Sequence, residues 1–477
     1  MKPTKLALAG ALASLLSAGT AYAQSGWSQP SSVQQTAFEY NSYYAQDYDE
    51  KAGAKARGVE AEPDPEAKPS NGGEEEEPSF GNGCGTLLNP CCCLGEQWKL
   101  FDSECLTCRD MTIAGFLDHG FSWNPDNPLD RYNGPTTFNN RANEYNLNQA
   151  YLYGEKAVDT EGCGWDFGGR IDLLYGTDSF LTLARGWDGS RTIGAPRWRS
   201  SRLYGLAMPQ AYGEVGYNKW KFKIGHFYTP AGYEVVPSTG NFFYSHALTH
   251  QYFEPFTHSG ALATFTANEQ LTILAGPVTG WDNWDGEPGN ENWSFLGGFT
   301  VSSEDKERSL AFVLTDGLEY NINGVATNRY YDSITYSSKL SDRTTFVLEH
   351  DFGAQDDGKI GGGGAAYWYS LTGYLFYKVS DCTTYGARLG WARDQDGTRV
   401  YPVGDFRGGN VASVGGFAGN FWEITGGINY KLSANTVFRP ELRWEWFDGQ
   451  ALNGVQPYDN GTGDFQFLAA FDIVTTF

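Results

Sequence analysis

From Met111 to Phe477 apolar and polar residues alternate along the chain, and the alternation breaks at clusters of Gly, Asn, Asp and Pro. The last stretch shows it most clearly. Phe465, Phe467, Ala469, Phe471, Ile473, Thr475 and Phe477 fall on one parity, and Gln466, Ala470, Asp472 and Thr476 on the other, with Leu468 and Val474 as exceptions. Period two is the repeat of a β-strand with one apolar and one mostly polar face. The stretch ends on an aromatic of the apolar face, so it must pair with something, and closure against the first strand of the same sheet is the simplest answer.

The same texture runs through the preceding residues. Ile113, Leu117, Phe121 and Trp123 oppose Thr112, Asp118 and Ser122, and Trp220, Phe222 and Ile224 oppose Lys219, Lys221 and Lys223. Phe438, Leu442, Trp444 and Trp446 oppose Arg439, Glu441, Arg443 and Glu445. The pattern predicts strands over 111–124, 145–158, 164–178, 208–217, 219–228, 259–268, 269–280 and 293–303. It continues with 308–318, 328–340, 342–352, 365–380, 382–394, 418–432, 434–448 and 464–477, which makes sixteen. The periodicity is weakest around 208–217, 259–280 and 308–340.

Connections after even-numbered strands read as tight, at 159–163, Asn218, 268–269, 304–307, Ser341, Asp381 and Ser433. Those after odd-numbered strands read as long, at 125–144, 179–207, 229–258, 281–292, 319–327, 353–364, 395–417 and 449–463. Short–long alternation around an even number of strands is the arrangement of a transmembrane barrel with short periplasmic turns and long outer loops. A lipid-facing band needs about 9–11 residues per tilted strand, and these strands suffice. A soluble β-sandwich would share the parity but not the long up-and-down order. The expected fold is therefore all-β: a 16-stranded antiparallel up-and-down transmembrane β-barrel over 111–477, with a disordered, Cys-containing N-terminal extension.

Composition sharpens this picture. Of 477 residues 16% are aromatic, only 19% are charged, and 60 are Gly, which suits an all-β chain with many turns. A net charge of −23 argues against nucleic acid as a partner. Lys2 and Lys5, the apolar stretch 6–18 and Ala21-Tyr22-Ala23 read as a signal peptide over 1–23. Pro63, Pro65, Pro69, Pro78 and the run 74–77 mark 24–80 as a disordered acidic linker. The segment 81–110 holds Cys84, Cys91, Cys92, Cys93, Cys105 and Cys108, with Cys163 and Cys382 at short turns further on. In an exported chain disulfides are the better reading, and Cys163 and Cys382 could each staple this periplasmic segment beneath the barrel. The alternatives are half a zinc site at Cys105–Cys108, or unpaired thiols at Cys163 and Cys382.

Four segments carry a resemblance. Trp220–Glu234, followed by Asn241–His246, and Gly115–Pro125 with Asn146–Tyr151, are similar to segments of the bacterial β-barrel porins of the OmpL-like kind. The resemblance covers about 111–477. It implies an outer-membrane barrel with a transport role, and it supplies no catalytic residue and no cofactor.

Candidate functional residues follow from the faces. The polar parity nominates a lumen lining of mixed sign: Arg170, Asp172, Lys219, Lys221, Lys223, Arg343, Glu349, Asp351, Arg388, Glu423, Lys431, Arg439, Glu441, Arg443 and Glu445, with Glu214 and Asp472 beside them. Opposed charges across a pore would order water and sort solutes by polarity, whereas lateral pairs between neighbouring strands would merely keep the wall polar. The loop 229–258 is long, aromatic and low in charge, and suits a constriction folded into the lumen, with Tyr233, Glu234, Phe242 and His246 as its candidates. Its histidines 246, 250 and 258 are read as polar packing, and no metal is assigned. Arg185, Arg191, Arg197, Arg199 and Arg202 form a basic patch for the outer mouth, which could attract anions or simply pair with acidic loops. Phe477 is the assembly signal. No nucleophile–base cluster indicates an enzyme.

The expectation is an outer-membrane porin passing small hydrophilic solutes by diffusion through a water-filled lumen. The alternative is a plugged or non-conducting barrel acting as an envelope-binding protein. Its partners would be outer-membrane lipid, the barrel assembly machinery, small hydrophilic solutes and, by analogy, two further copies in a homotrimer.

Overall fold

The computed structural model describes residues 94–160, 163–189, 197–198, 200–201, 203–284, 293–401, 416–451 and 454–477. The signal peptide, the acidic linker, Cys84, Cys91, Cys92, Cys93, Arg191, Arg199 and Arg202 lie outside the described residues.

A four-residue helix, α1 (Glu104–Thr107), precedes the barrel and is capped by Ser103. The wall begins with β1 (Met111–Trp123), β2 (Glu144–Lys156), β3 (Trp165–Gly176) and β4 (Gly205–Tyr217). It continues with β5 (Trp220–Tyr228), β6 (Thr257–Thr266), β7 (Leu271–Val278) and β8 (Ser294–Ser302). Then come β9 (Arg308–Tyr320), β10 (Ala326–Ser341), β11 (Thr344–Gln355) and β12 (Ala366–Ser380). The last four are β13 (Thr383–Asp394), β14 (Phe417–Lys431), β15 (Thr436–Ala451) and β16 (Phe465–Thr476). Each pairs with its neighbour in sequence, and β1 closes on β16 with Phe121 opposite Phe471. The closure runs on through Phe477, whose backbone exchanges two hydrogen bonds with Gly115, of 2.9 and 3.0 Å. A Cβ on Gly115 would sit 2.8 Å from the Phe477 ring, so the absence of a side chain there admits the terminal aromatic.

The parity decides which way each face looks. Leu389 is 59% exposed while Arg388 beside it is fully buried, and Leu442 is 56% exposed while Arg443 is buried. Phe167, Ile171, Phe222, Ile224, Leu375, Trp422 and Trp444 are likewise exposed on the outer face. No described helix is long and apolar enough to cross a membrane, and the crossing is made by strands.

Two expectations need correction. The β9–β10 connection spans only 321–325, because Leu318–Tyr320 and Ala326–Asn328 extend the ladder beyond the sequence estimate. One of the connections expected to be long is therefore a short hairpin. Lys219 and Arg343 lie in the tight turns of β4–β5 and β10–β11, where both are exposed. Counting parity past the strand end had placed them on the inner face.

Residues 94–98 run along the rim of short turns. The Leu94 carbonyl accepts from Ala434 N at 2.9 Å. Asn435 accepts from Trp98 N at 3.0 Å and donates to Trp98 O at 2.9 Å. The chain preceding the barrel thus reaches it beside the β14–β15 turn.

Candidate functional site: the lumen and its inserted loop

The connection 229–256 between β5 and β6 does not stand outside the barrel. None of its residues is exposed. Loops normally lie on the surface because their backbone needs water, so a buried loop must find its partners in the protein. This one finds them on the inner wall and within itself. Gly232 takes φ +85, a left-handed turn that favours glycine. The Asn241 side chain accepts from Val235 N at 2.9 Å and donates to Val235 O at 2.6 Å, which closes the turn around Pro237. A short helix, α2 (Leu248–Tyr252), then turns the chain back toward β6.

The wall holds the loop with arginines. Arg388 of β13 bonds Glu234 at 2.8 Å and the Ser245 carbonyl at 2.7 Å. Arg439 of β15 donates to the carbonyls of Ser238 and Asn241 at 2.8 and 2.6 Å, and pairs with Asp472 of β16. Arg443 donates to His246 O at 2.6 Å and pairs with Glu423 at 2.8 Å and with Glu445. Carboxylates complete the harness. Glu349 accepts from Tyr233 N at 2.6 Å, Glu441 from Tyr244 N at 3.0 Å, and Glu234 from Ala247 N at 2.8 Å. Gln149 of β2 donates to Val236 O at 2.8 Å, so the loop's anchors continue past the β16–β1 closure onto β2.

Buried ion pairs stabilise little on balance, because desolvation offsets their attraction, but removing one partner strands the other. Here the arginines satisfy loop carbonyls as well as carboxylates, so the network fixes the position of the loop. Three wall glycines give the loop's aromatics room. A Cβ at Gly386 would lie 2.3 Å from Phe242, one at Gly120 would lie 2.9 Å from Tyr244, and one at Gly427 would lie 3.2 Å from Phe243. His246 and His250 stack at 4.6 Å, and His246 Nδ1 lies 3.0 Å from Glu234.

Most of the sequence candidates therefore come together. Tyr233, Glu234, Phe242 and His246 are all buried inside the barrel, against Glu349, Arg388, Glu423, Arg439, Glu441, Arg443 and Glu445. Arg170 and Asp172 pair on β3 at 2.7 Å, with Glu155 at 3.1 Å. Asp351 is buried on β11, Lys223 lies over the Tyr212 ring, Lys221 bonds Val158 O near the short-turn rim, and Lys431 ends β14. Sequence reasoning missed Glu254, Gln149 and the apolar inner face of β6–β9. Glu254 lies in the loop, where no periodicity assigns a face. The wall glycines were the readable signal that something bulky packs inside.

At the outer mouth, Arg185 is exposed, and its backbone joins the loop after β3 to the loop after β7 through Asp282 O and Trp284 N, both at 2.8 Å. Arg197 is exposed and donates its backbone N–H to Asp188 O at 2.8 Å. Burial pushes the Asp188 carboxyl up to about 6 against the backbone N–H groups of Met208 and Ala184. Cys105, Cys108 and Cys163 are free and exposed, whereas Cys382 is buried and is not among the free thiols.

Residues 110–477 match the family described as "Putative beta-barrel porin-2, OmpL-like". Among solved structures the chain is similar to the outer membrane channel DcaP of Acinetobacter baumannii, at 10% identity and a TM-score of 0.47, over 77% of this chain and 97% of that one. It is similar in the same measure to an anion-selective porin from Comamonas acidovorans, at 10% identity and 0.47, over 77% and 99%. For OprB of Pseudomonas putida the figures are 10% and 0.47, over 78% and 95%. No curated protein matches.

Proposed function

From the premise that this chain belongs to the OmpL-like β-barrel porin-2 family, and is an outer-membrane porin for passive diffusion, we propose that loop 229–256 is its constriction and that small hydrophilic solutes pass beside it. The observation that carries this is a loop without one exposed residue, tied to the inner wall by Arg388 of β13, by Arg439 and Arg443 of β15 and, past the closure, by Gln149 of β2.

The burial of the loop also favours a second reading, a barrel plugged at rest. Liposome swelling with sugars of increasing size separates the two. A porin with a narrow constriction admits the smallest and excludes the larger within a short size range. A plugged barrel admits none.

The finer partners belong to this reading. The short-turn rim faces the periplasm, and the extension before residue 94 lies on that side, because 94–98 already follow that rim. Outer-membrane lipid meets the apolar band, the assembly machinery recognises the strand ending in Phe477, and the barrel assembles as a homotrimer.

A further inference from the structure

Behind the inserted loop three carboxylates converge. One ligand oxygen each of Glu254, Glu349 and Asp351 lies within 4.8 Å of the others, and all three residues are buried. Glu349 and Asp351 are alternate inward positions of β11, and Glu254 arrives from the loop just beyond α2. Among the described residues none of the ion pairs to these three involves Lys or Arg; Glu254 has His250 Nδ1 at 2.8 Å. A buried carboxylate without a compensating charge costs several kcal/mol by a rough general measure, and three together cost more.

The donors around them do not suffice. Tyr331 OH lies 2.8 Å from Asp351 and 3.4 Å from Glu254, but it has one proton to give. Ser370 donates to Asp351 at 3.0 Å and Tyr233 N to Glu349 at 2.6 Å. Independently, the Ser333 hydroxyl is buried and makes no hydrogen bond of ordinary geometry, although it lies against the Asp351 carboxylate. Ser333 sits directly across from Asp351 in the β10–β11 ladder, so its oxygen shares the same inward position. On the loop side, a Cβ at Gly232 would fall 1.9 Å from Glu254 Oε2, so the backbone is shaped around this carboxylate.

We propose that Glu254, Glu349 and Asp351, with the Ser333 hydroxyl, bind one hard divalent cation of the calcium class, which clamps the inserted loop to β11. Up to six carboxylate oxygens, a hydroxyl and water meet the all-oxygen, six-to-eight-ligand preference of calcium, and the set offers nothing soft for zinc or copper. The clamp rests on the reading of 229–256 as the constriction, since it is the loop that the ion would hold. Its chemical part, the ion site itself, does not depend on conduction.

The test is terbium luminescence of the folded full chain in detergent, excited through Tyr331 and the neighbouring aromatics and competed with calcium. One terbium should bind per barrel, displaced by calcium. Asp351→Asn should weaken it at least tenfold, and Glu349→Gln likewise, while Glu307→Gln on a remote turn leaves it unchanged. Heat-modifiable mobility shows that each variant is folded. Binding that is equal in wild type and both lumen variants, or no binding at millimolar calcium, overturns the site and leaves the three acids sharing protons. Calcium that binds but does not slow proteolysis of the loop overturns the clamp. Failure of the porin reading shows separately, as no solute uptake by a barrel that still binds terbium.

Discussion

From β6 to β9 the wall turns Leu262, Leu274, Val278, Leu296 and Val313 inward, and they close on Tyr252 and Phe253 of the inserted loop in one apolar cluster. From β11 to β16 it turns Glu349, Asp351, Arg388, Glu423, Arg439, Arg443, Glu445 and Asp472 inward; Glu349, Arg388, Arg439 and Arg443 hold the same loop directly, and Glu423, Glu445 and Asp472 pair with those arginines. The outer face is apolar on both arcs, with Ile273 and Phe295 on one and Leu389 and Trp444 on the other. The outer face is uniform around both arcs. The inner face is set by which side of the loop it meets. The apolar arc packs against it, and the charged arc fixes where it stands.

If the charged arc fixes the loop, its largest single dependence is on Arg388. Arg388→Met would leave Glu234 buried without its guanidinium and Glu423 with that of Arg443 alone, at a cost of about 3–5 kcal/mol. The expected outcome is a barrel that still forms but whose loop is cut rapidly by added protease, measured as the rate of cleavage within 229–256. The apolar arc should behave differently. Leu296→Ala leaves a cavity and costs about 2–5 kcal/mol. The loss should appear as a lower temperature of heat-modifiable unfolding that is insensitive to salt, whereas the Arg388 variant changes with salt.

These two arcs also differ in how legible they were. On β13–β16 a charged inner face alternates with an aromatic outer face, although the expected strand ends fall within about three residues of those observed on both arcs. On β6–β9 both faces are apolar. Leu274 looks inward and Ile273 outward, so parity has no contrast to display, and these were the weakest stretches of periodicity. That the loop enters the lumen was readable from its length and its low charge. Its partners were not, because the pairing of Glu234 with Arg388, or of Glu254 with Asp351 through Tyr331, joins residues about a hundred or more positions apart with no shared period. Lys219 and Arg343 were misplaced for a simpler reason, since alternation carries no mark of where a strand stops.

Smaller effects sharpen the contrast. Gly386→Val places a side chain where Phe242 packs and should cost about 1–3 kcal/mol by overpacking. It should raise protease access to the loop less than Arg388→Met does, and leave closure of the barrel intact. At the seam that belongs to neither arc, Phe477→Asp should slow assembly while Thr476→Asp should slow it less, because the Phe477 ring covers Gly115 on the lipid side. The fraction of heat-modifiable protein recovered from membranes measures both.

The account stands most directly on single-channel current across planar bilayers, recorded for the full chain and for a form in which 235–253 is replaced by a short Gly–Ser linker. The full chain should show small, stepwise openings, and the shortened form openings several-fold larger. Equal conductance in the two would contradict the constriction, and a correctly folded full chain that passes no current would contradict diffusion past the loop.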